Sequence, residues 1–255
     1  MLDFEHVTFQ FPTDNYRMFE DLSFHLEEGE FTALIGASGS GKSTIFRLIN
    51  HFLTPETGSI RIEGREVGTG NAQCGYMPQR DLLFPWRTVE ANVMLPMEIK
   101  KQPRAERRAA ADALLARVGL AGSEKKRPGE LSGGMRQRAA FARTLAAGAD
   151  LLLLDEPFSA LDSITRISMQ EWLVEQWENW NKTILLVTHD VEEAIFLSRR
   201  ILVLTGRPVK SLVDLEVPLP KKRTREMLLR PEVMELKNRL IGMLQEEAAQ
   251  TESDS

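Results

Sequence analysis

Cysteine is almost absent. Cys74 stands alone among 255 residues, so no internal disulfide can form, and a reducing compartment is expected. No apolar run approaches the roughly 20 residues of a membrane-spanning helix. Positive charge is not in excess either. Lysine and arginine number 32 against 37 acids, a formal net charge of −5. The two signs are mixed along the chain, so no global field draws nucleic acid or an anionic membrane to the surface. Any phosphate binding must then be local. Met1-Leu2-Asp3-Phe4-Glu5-His6 places acids where a signal peptide carries bases and an apolar core. Internal repeats, heptads and low-complexity linkers are also missing. These absences leave a soluble, cytosolic chain, long enough for one large domain or a core with a subdomain.

What is present centres on Gly36-Ala37-Ser38-Gly39-Ser40-Gly41-Lys42-Ser43-Thr44. The apolar run Phe31-Thr32-Ala33-Leu34-Ile35 before it reads as a buried strand, and Ile45-Phe46-Arg47-Leu48-Ile49 after it as the first turns of a helix. Strand, glycine-rich loop and helix in that order are the setting in which G-x-x-x-x-G-K-S/T binds phosphate. Glycines let the loop wrap an anion, backbone N–H groups point inward as donors, and the helix N-terminus adds partial positive charge. Lys42 is expected to reach the β- and γ-phosphates, and the Ser43 hydroxyl to take one Mg²⁺ position. This is a nucleotide site.

Residues 2–11 and 19–31 alternate apolar with polar and predict antiparallel strands about a turn at Pro12-Thr13-Asp14-Asn15. Phe11 and Tyr16 flank that turn; either can stack on a flat base or simply pack at the rim. Residues 58–63 read as another strand, and Gly75-Tyr76-Met77-Pro78-Gln79 ends one more. From Pro103 to about Ala147 the composition turns helical, with Leu114, Leu115 and Val118 at helical spacing. Gly119, Gly122, Pro128 and Gly129 interrupt it before Leu131-Ser132-Gly133-Gly134-Met135 opens a second helical run. The pattern is a helical insert between two parts of one parallel-sheet core.

Leu151-Leu152-Leu153-Leu154-Asp155-Glu156-Pro157 is a strand apolar on both faces that stops on two acids. Residues 184–188 repeat the layout and end at His189-Asp190. In open α/β sheets ligands sit at the carboxyl edge of the strands, so Gly36, Asp155, Glu156 and His189 are expected to converge there. Trp172, Trp177 and Trp180, on a helical stretch over Ser168–Asn181, read as packing. Beyond Gly206 strand-like alternation returns up to Pro220. A basic knot, Lys221-Lys222-Arg223, precedes a helix over 232–245, and Thr251–Ser255 is expected to fray.

Taken together these motifs resemble the ATP-binding subunit of an ABC transporter over nearly the whole chain. Gly36–Thr44 looks like the Walker A loop and Leu151–Glu156 like Walker B. Gln79 sits where that family has its Q-loop glutamine. Leu131–Met135 resembles the LSGGQ signature with Met135 for glutamine, Ser159-Ala160-Leu161-Asp162 the D-loop, and His189 the switch histidine. Within the family, Leu82–Val89 and the tail after Val217-Pro218-Leu219-Pro220 resemble importers of nitrate, taurine, sulfonates and pyrimidine-type precursors. Exporters and lipoprotein-release ATPases share every catalytic motif and differ only in those two stretches.

The resemblance implies an α/β fold: a P-loop NTPase (RecA-like) core with an N-terminal antiparallel β subdomain and an inserted helical subdomain at about 90–147. An ATPase domain over 1–220 would be followed by a helical extension with an acidic tail over 221–255. It further implies ATP and Mg²⁺ as cofactors and two copies closing head to tail over two ATPs. Walker A of one copy would face Ser132, Gly133 and Gly134 of the other, with Asp162 nearby. Ser43, Gln79 and Asp155 would hold Mg²⁺. Glu156 would polarise the attacking water, and His189 would hold it and the γ-phosphate in line. Phe11 takes the family's adenine-stacking position, with Tyr16 second. The implied partners are membrane permease subunits and, for an importer, an extracytoplasmic solute-binding protein; nucleic acid is not among them. The chain would then sit on the cytoplasmic face of the membrane. The apolar cluster Leu82-Leu83-Phe84-Pro85-Trp86 either folds inward as core or lines a surface groove for a permease helix.

Overall fold

The computed structural model describes residues 1–13, 15–69, 74–179 and 182–253. It divides into two compact units, one of Met1–Gln73 with Gln170–Ser255, the other of Cys74–Met169. Asp14 of the expected first turn, and Trp180 and Asn181 at the end of the expected tryptophan-bearing helix, lie outside the described residues.

The first unit opens with β1 (Leu2–Phe9) and β2 (Phe19–Leu26), paired antiparallel with Leu2 opposite Leu26 and Phe4 opposite Phe24. The strand expected over 19–31 ends at Leu26, and the separately expected Phe31–Ile35 forms the next. A charged turn stops the first, with the Glu27 N–H donating to the Glu30 carboxylate at 3.0 Å. After it, β3 (Phe31–Ile35) enters a different sheet. The glycine loop leads into α1 (Lys42–Ile49). β4 (Thr57–Ile62) and β5 (Arg65–Glu66) then complete an antiparallel sheet in the order β2-β1-β4-β5.

The second unit pairs β6 (Cys74–Met77) in parallel with the later β7 (Leu151–Asp155). Between them run α2 (Val89–Ile99), α3 (Arg104–Arg117) and α4 (Gly133–Ala146). Thr88 starts α2 by accepting the Ala91 N–H at 3.2 Å, and Ser132 starts α4 by accepting the Met135 N–H at 3.2 Å. α5 (Ser163–Asn179) follows and passes into the first unit at Gln170.

The first unit continues with β8 (Thr183–Val187), α6 (Val191–Leu197), β9 (Arg200–Leu204), β10 (Leu212–Glu216) and α7 (Pro231–Ser253). β3 lies between β8 and β9, parallel to both, and β10 runs antiparallel along the outer side of β9. Every residue of β3 and β8 is buried, as an apolar run on a two-sided sheet requires.

The C-terminal segment expected as an extension from 221 packs into this same core. Val233, Leu236 and Leu240 join Ala33, Ile35, Ile201 and Val203 in one buried cluster. Arg223, in the expected basic knot, is buried and donates to the carbonyls of Ile195, Phe196 and Ser198 at the end of α6. Burial pulls its guanidinium down to about 10, and those carbonyls stabilise the charge that remains. α7 continues to Ser253, past the expected fraying point. Trp177 is packing, as expected: its ring meets Phe31 edge-on at 5.6 Å and its Nε1 donates to Gly29 O at 3.1 Å. No helix among the described residues is long and apolar enough to cross a membrane.

Candidate nucleotide-binding and hydrolysis site

The first unit supplies the loop. Gly41 adopts φ 99°, and a Cβ there would meet the Phe19 ring at 2.7 Å and Met18 Sδ at 2.9 Å. Only glycine fits both the conformation and the space. A Cβ at Gly36 would lie 3.1 Å from Leu204 Cβ, so the end of β9 walls the loop on another side. Lys42 curls over the concavity, its Nζ donating to Gly36 O at 2.9 Å and Ala37 O at 2.8 Å. Gly41 caps α1 without a side-chain hydrogen bond, so no side chain at that position competes for the first-turn N–H groups. The Ser40 hydroxyl is buried with no hydrogen-bond partner. An orphaned donor, a flexible cation and a helix N-terminus on one small loop fit a polyphosphate.

The first unit also carries His189, exposed just after β8, where Asp190 caps α6 by accepting the Glu193 N–H at 3.0 Å. Phe11 is half-buried and meets Phe9 edge-on at 4.9 Å and 84°, while Tyr16 is 46% exposed.

The second unit supplies the acids. Asp155 closes β7 and is only 6% exposed. Glu156 follows at φ 47°, a left-handed conformation that strains a non-glycine residue. Its backbone carbonyl accepts both the N–H and the hydroxyl of Ser159, at 3.2 and 3.0 Å. Its carboxylate accepts Gln79 Nε2 at 2.9 Å across 77 positions of sequence. The structure therefore brings together two of the residues singled out in the sequence, and the contact leaves the glutamine's amide oxygen as its acceptor end. At α4 Ser132 is exposed, and a Cβ on Gly134 would lie 3.2 Å from Leu161 Cδ2. Asp162 is exposed, and hydrogen bonds from Thr165, the side chain first and then the backbone N–H at 3.0 Å, hold its carboxyl below the usual carboxylate range.

Ser43, Gln79 and Asp155 offer a hydroxyl, an amide oxygen and a carboxylate. These are hard oxygen donors suited to Mg²⁺. Among the described residues no cluster of three His, Cys, Asp or Glu could hold a metal ion. Burial pushes the lone Cys74 thiol up to about 12, which removes it as a nucleophile.

Sequence reasoning missed several residues around these parts. Asp81, just past Gln79, pairs with Arg136 at 3.1 Å, and Arg143 donates to the carbonyls of Asp81 and Leu82, both at 2.7 Å. Buried Gln137 donates to Pro157 O at 2.9 Å, which ties the helix behind Ser132 to the strand end carrying the acids. In the first unit Phe19, Met18 and Arg207 stand against the loop. Arg136 follows the glycine signature directly in sequence, a weak hint; nothing local marks Arg143 or Arg207.

A glycine loop between strand and helix, and a buried strand ending on adjacent acids, define a nucleotide-hydrolysing α/β protein. Comparison with known proteins names the family. The family model described as ABC transporter matches residues 19–159. The formylaminopyrimidine import ATP-binding protein ThiZ of Halalkalibacterium halodurans is 45% identical over 226 residues, 89% of this chain and 88% of the relative. The nitrate import ATP-binding protein NrtD of Synechocystis is 40% identical over 241 residues, 92% and 91% of the two. A dimeric post-hydrolysis structure of the ATP-binding cassette MJ0796, bound to ADP and Pi, superposes with a TM-score of 0.75 at 28% identity, covering 86% of this chain and all (100%) of that one. The chain belongs to the ABC transporter family, as an ATP-hydrolysing subunit.

Proposed function

We propose that this subunit couples ATP hydrolysis to import of a small solute through separate permease subunits, with an extracytoplasmic binding protein delivering the solute. The observation that carries the hydrolytic part is Glu156, strained at φ 47° and held by Gln79 at 2.9 Å. A carboxylate fixed by backbone and amide at the end of a buried strand can orient a water and take its proton, which supports the base role. Support for import comes from two relatives named as importer subunits, at 45% and 40% identity over most of the chain. The solute is of the nitrate, sulfonate, taurine or pyrimidine-precursor kind. It would be recognised by the partners, since this subunit need never touch it.

In this reading the loop N–H groups and Lys42 hold the phosphate chain, and Phe11 or Tyr16 stacks on the adenine. His189 aligns the γ-phosphate with the water that Glu156 activates. Ser43, Gln79 and Asp155 would hold Mg²⁺, which would supply positive charge against the phosphate chain. Ser132, Gly133 and Gly134 of a second copy complete the site head to tail, with Asp162 beside them. ATP binding closes the pair and hydrolysis lets it open, which drives the permease at the cytoplasmic face of the membrane.

Replacing Glu156 with glutamine keeps the hydrogen-bonding shape but removes the base. Phosphate release should fall by about 10²–10⁴-fold while ATP binding persists. Near-normal turnover in Glu156→Gln would take the base role away from this residue.

A further inference from the structure

Arg207 lies in the turn between β9 and β10, directly after Gly206, and is exposed. A Cβ built on Gly39, in the middle of the glycine loop at φ 76°, would lie 3.2 Å from Arg207 Nη2. The guanidinium therefore rests against the loop itself. No carboxylate pairs with Arg207 among the described residues. The turn is anchored from two directions. On one side the Gly206 N–H donates to both carboxylate oxygens of Glu247 on α7, at 2.9 and 3.0 Å. On the other, Val209 exchanges hydrogen bonds with the start of β2 and the residue before it, Val209 N–H to Met18 O at 3.0 Å and Glu20 N–H to Val209 O at 3.1 Å.

We propose that Arg207 is a further nucleotide-binding residue, a second cation brought against the phosphate chain from outside the glycine motif and positioned by Glu247. The proposal rests on the reading of Gly36–Thr44 as a triphosphate loop. A triphosphate carries several negative charges, and within the loop Lys42 is the only cationic side chain. Arginine's planar fork suits phosphate oxygens, and its charge persists at any working pH. The anchoring explains why this arginine can act at such range. Its backbone is held at Gly206 and Val209, so only side-chain freedom is lost when an anion arrives.

The test is calorimetry of ATP with Mg²⁺ on the full chain, at low and at high salt, for the natural protein, Arg207→Ala and Arg207→Lys. Arg207→Ala should lose about tenfold or more in affinity at low salt, the contribution of one charge-assisted hydrogen bond. The gap should narrow at high salt, because screening weakens a partly exposed charge contact, and Arg207→Lys should recover part of it. Glu247→Ala should show a smaller loss with the same salt dependence. Unchanged affinity in Arg207→Ala would overturn the proposal. So would a loss equal at both salts and not recovered by lysine, which would make the side chain loop packing. Failure of the natural protein to bind ATP would overturn the loop reading itself, and the proposal with it.

Discussion

Lys42 has two carbonyl acceptors on its own loop, Gly36 at 2.9 Å and Ala37 at 2.8 Å. Those bonds are replaceable, and phosphate oxygens offer a full negative charge in exchange, so the ammonium is held ready without being locked. Lys42→Ala should weaken ATP binding by about 10–100-fold, the value of a hydrogen bond to a charged group; calorimetry showing unchanged affinity would place the phosphates elsewhere. At this scale the sequence was informative where chemistry is local. Lys42, Ser43, Asp155 and Glu156 sit in short motifs whose strand and helix flanks are readable from apolar runs. The contact between Gln79 and Glu156 spans 77 positions, and the approach of Arg207 to Gly39 joins distant turns. No periodicity carries such pairs, because they arise from how strands are ordered in space.

The segment after Gln79 shows what one element adds. Read from sequence, Leu82–Trp86 could be core or groove. In the structure Leu83 is buried, whereas Leu82 is 59% and Trp86 69% exposed, and Phe84 lies against Trp86 at 5.2 Å between ring centroids. The segment is pinned all the same. Arg143 and Arg136 hold Asp81 and Leu82 from α4. Buried Asn92 accepts the Phe84 N–H at 2.7 Å and donates to its carbonyl at 3.1 Å. An exposed Trp86 beside a half-buried Phe84, on a backbone held in place, favours the docking reading over inward packing, since aromatic anchors dominate interfaces. The double change Phe84→Ala, Trp86→Ala should leave ATP binding by the subunit nearly intact and cost about 2 kcal/mol or more of permease affinity. Loss of co-purification with the permease is the expected result, and normal assembly and transport would move the coupling surface elsewhere. In sequence the two arginines read as the polar face of a helix, which does not show what they hold.

For the whole molecule, the α/β class and the antiparallel N-terminal sheet followed from apolar patterning. The course of the last residues did not. The segment after 220 reads as an appendage, yet Val233, Leu236 and Leu240 of α7 belong to the same core as β3 and β9. Helical spacing shows that such a face is apolar without showing what it covers. The proposed function assigns each chain only half of a working site, the Walker A loop meeting the exposed Ser132 of a second copy before hydrolysis proceeds. Light scattering on Glu156→Gln tests this most directly, because that variant should bind ATP without consuming it. The account predicts a monomer without nucleotide or with ADP, and a mass close to twice that with ATP. A monomer under all three conditions, with ATP binding verified, would contradict it.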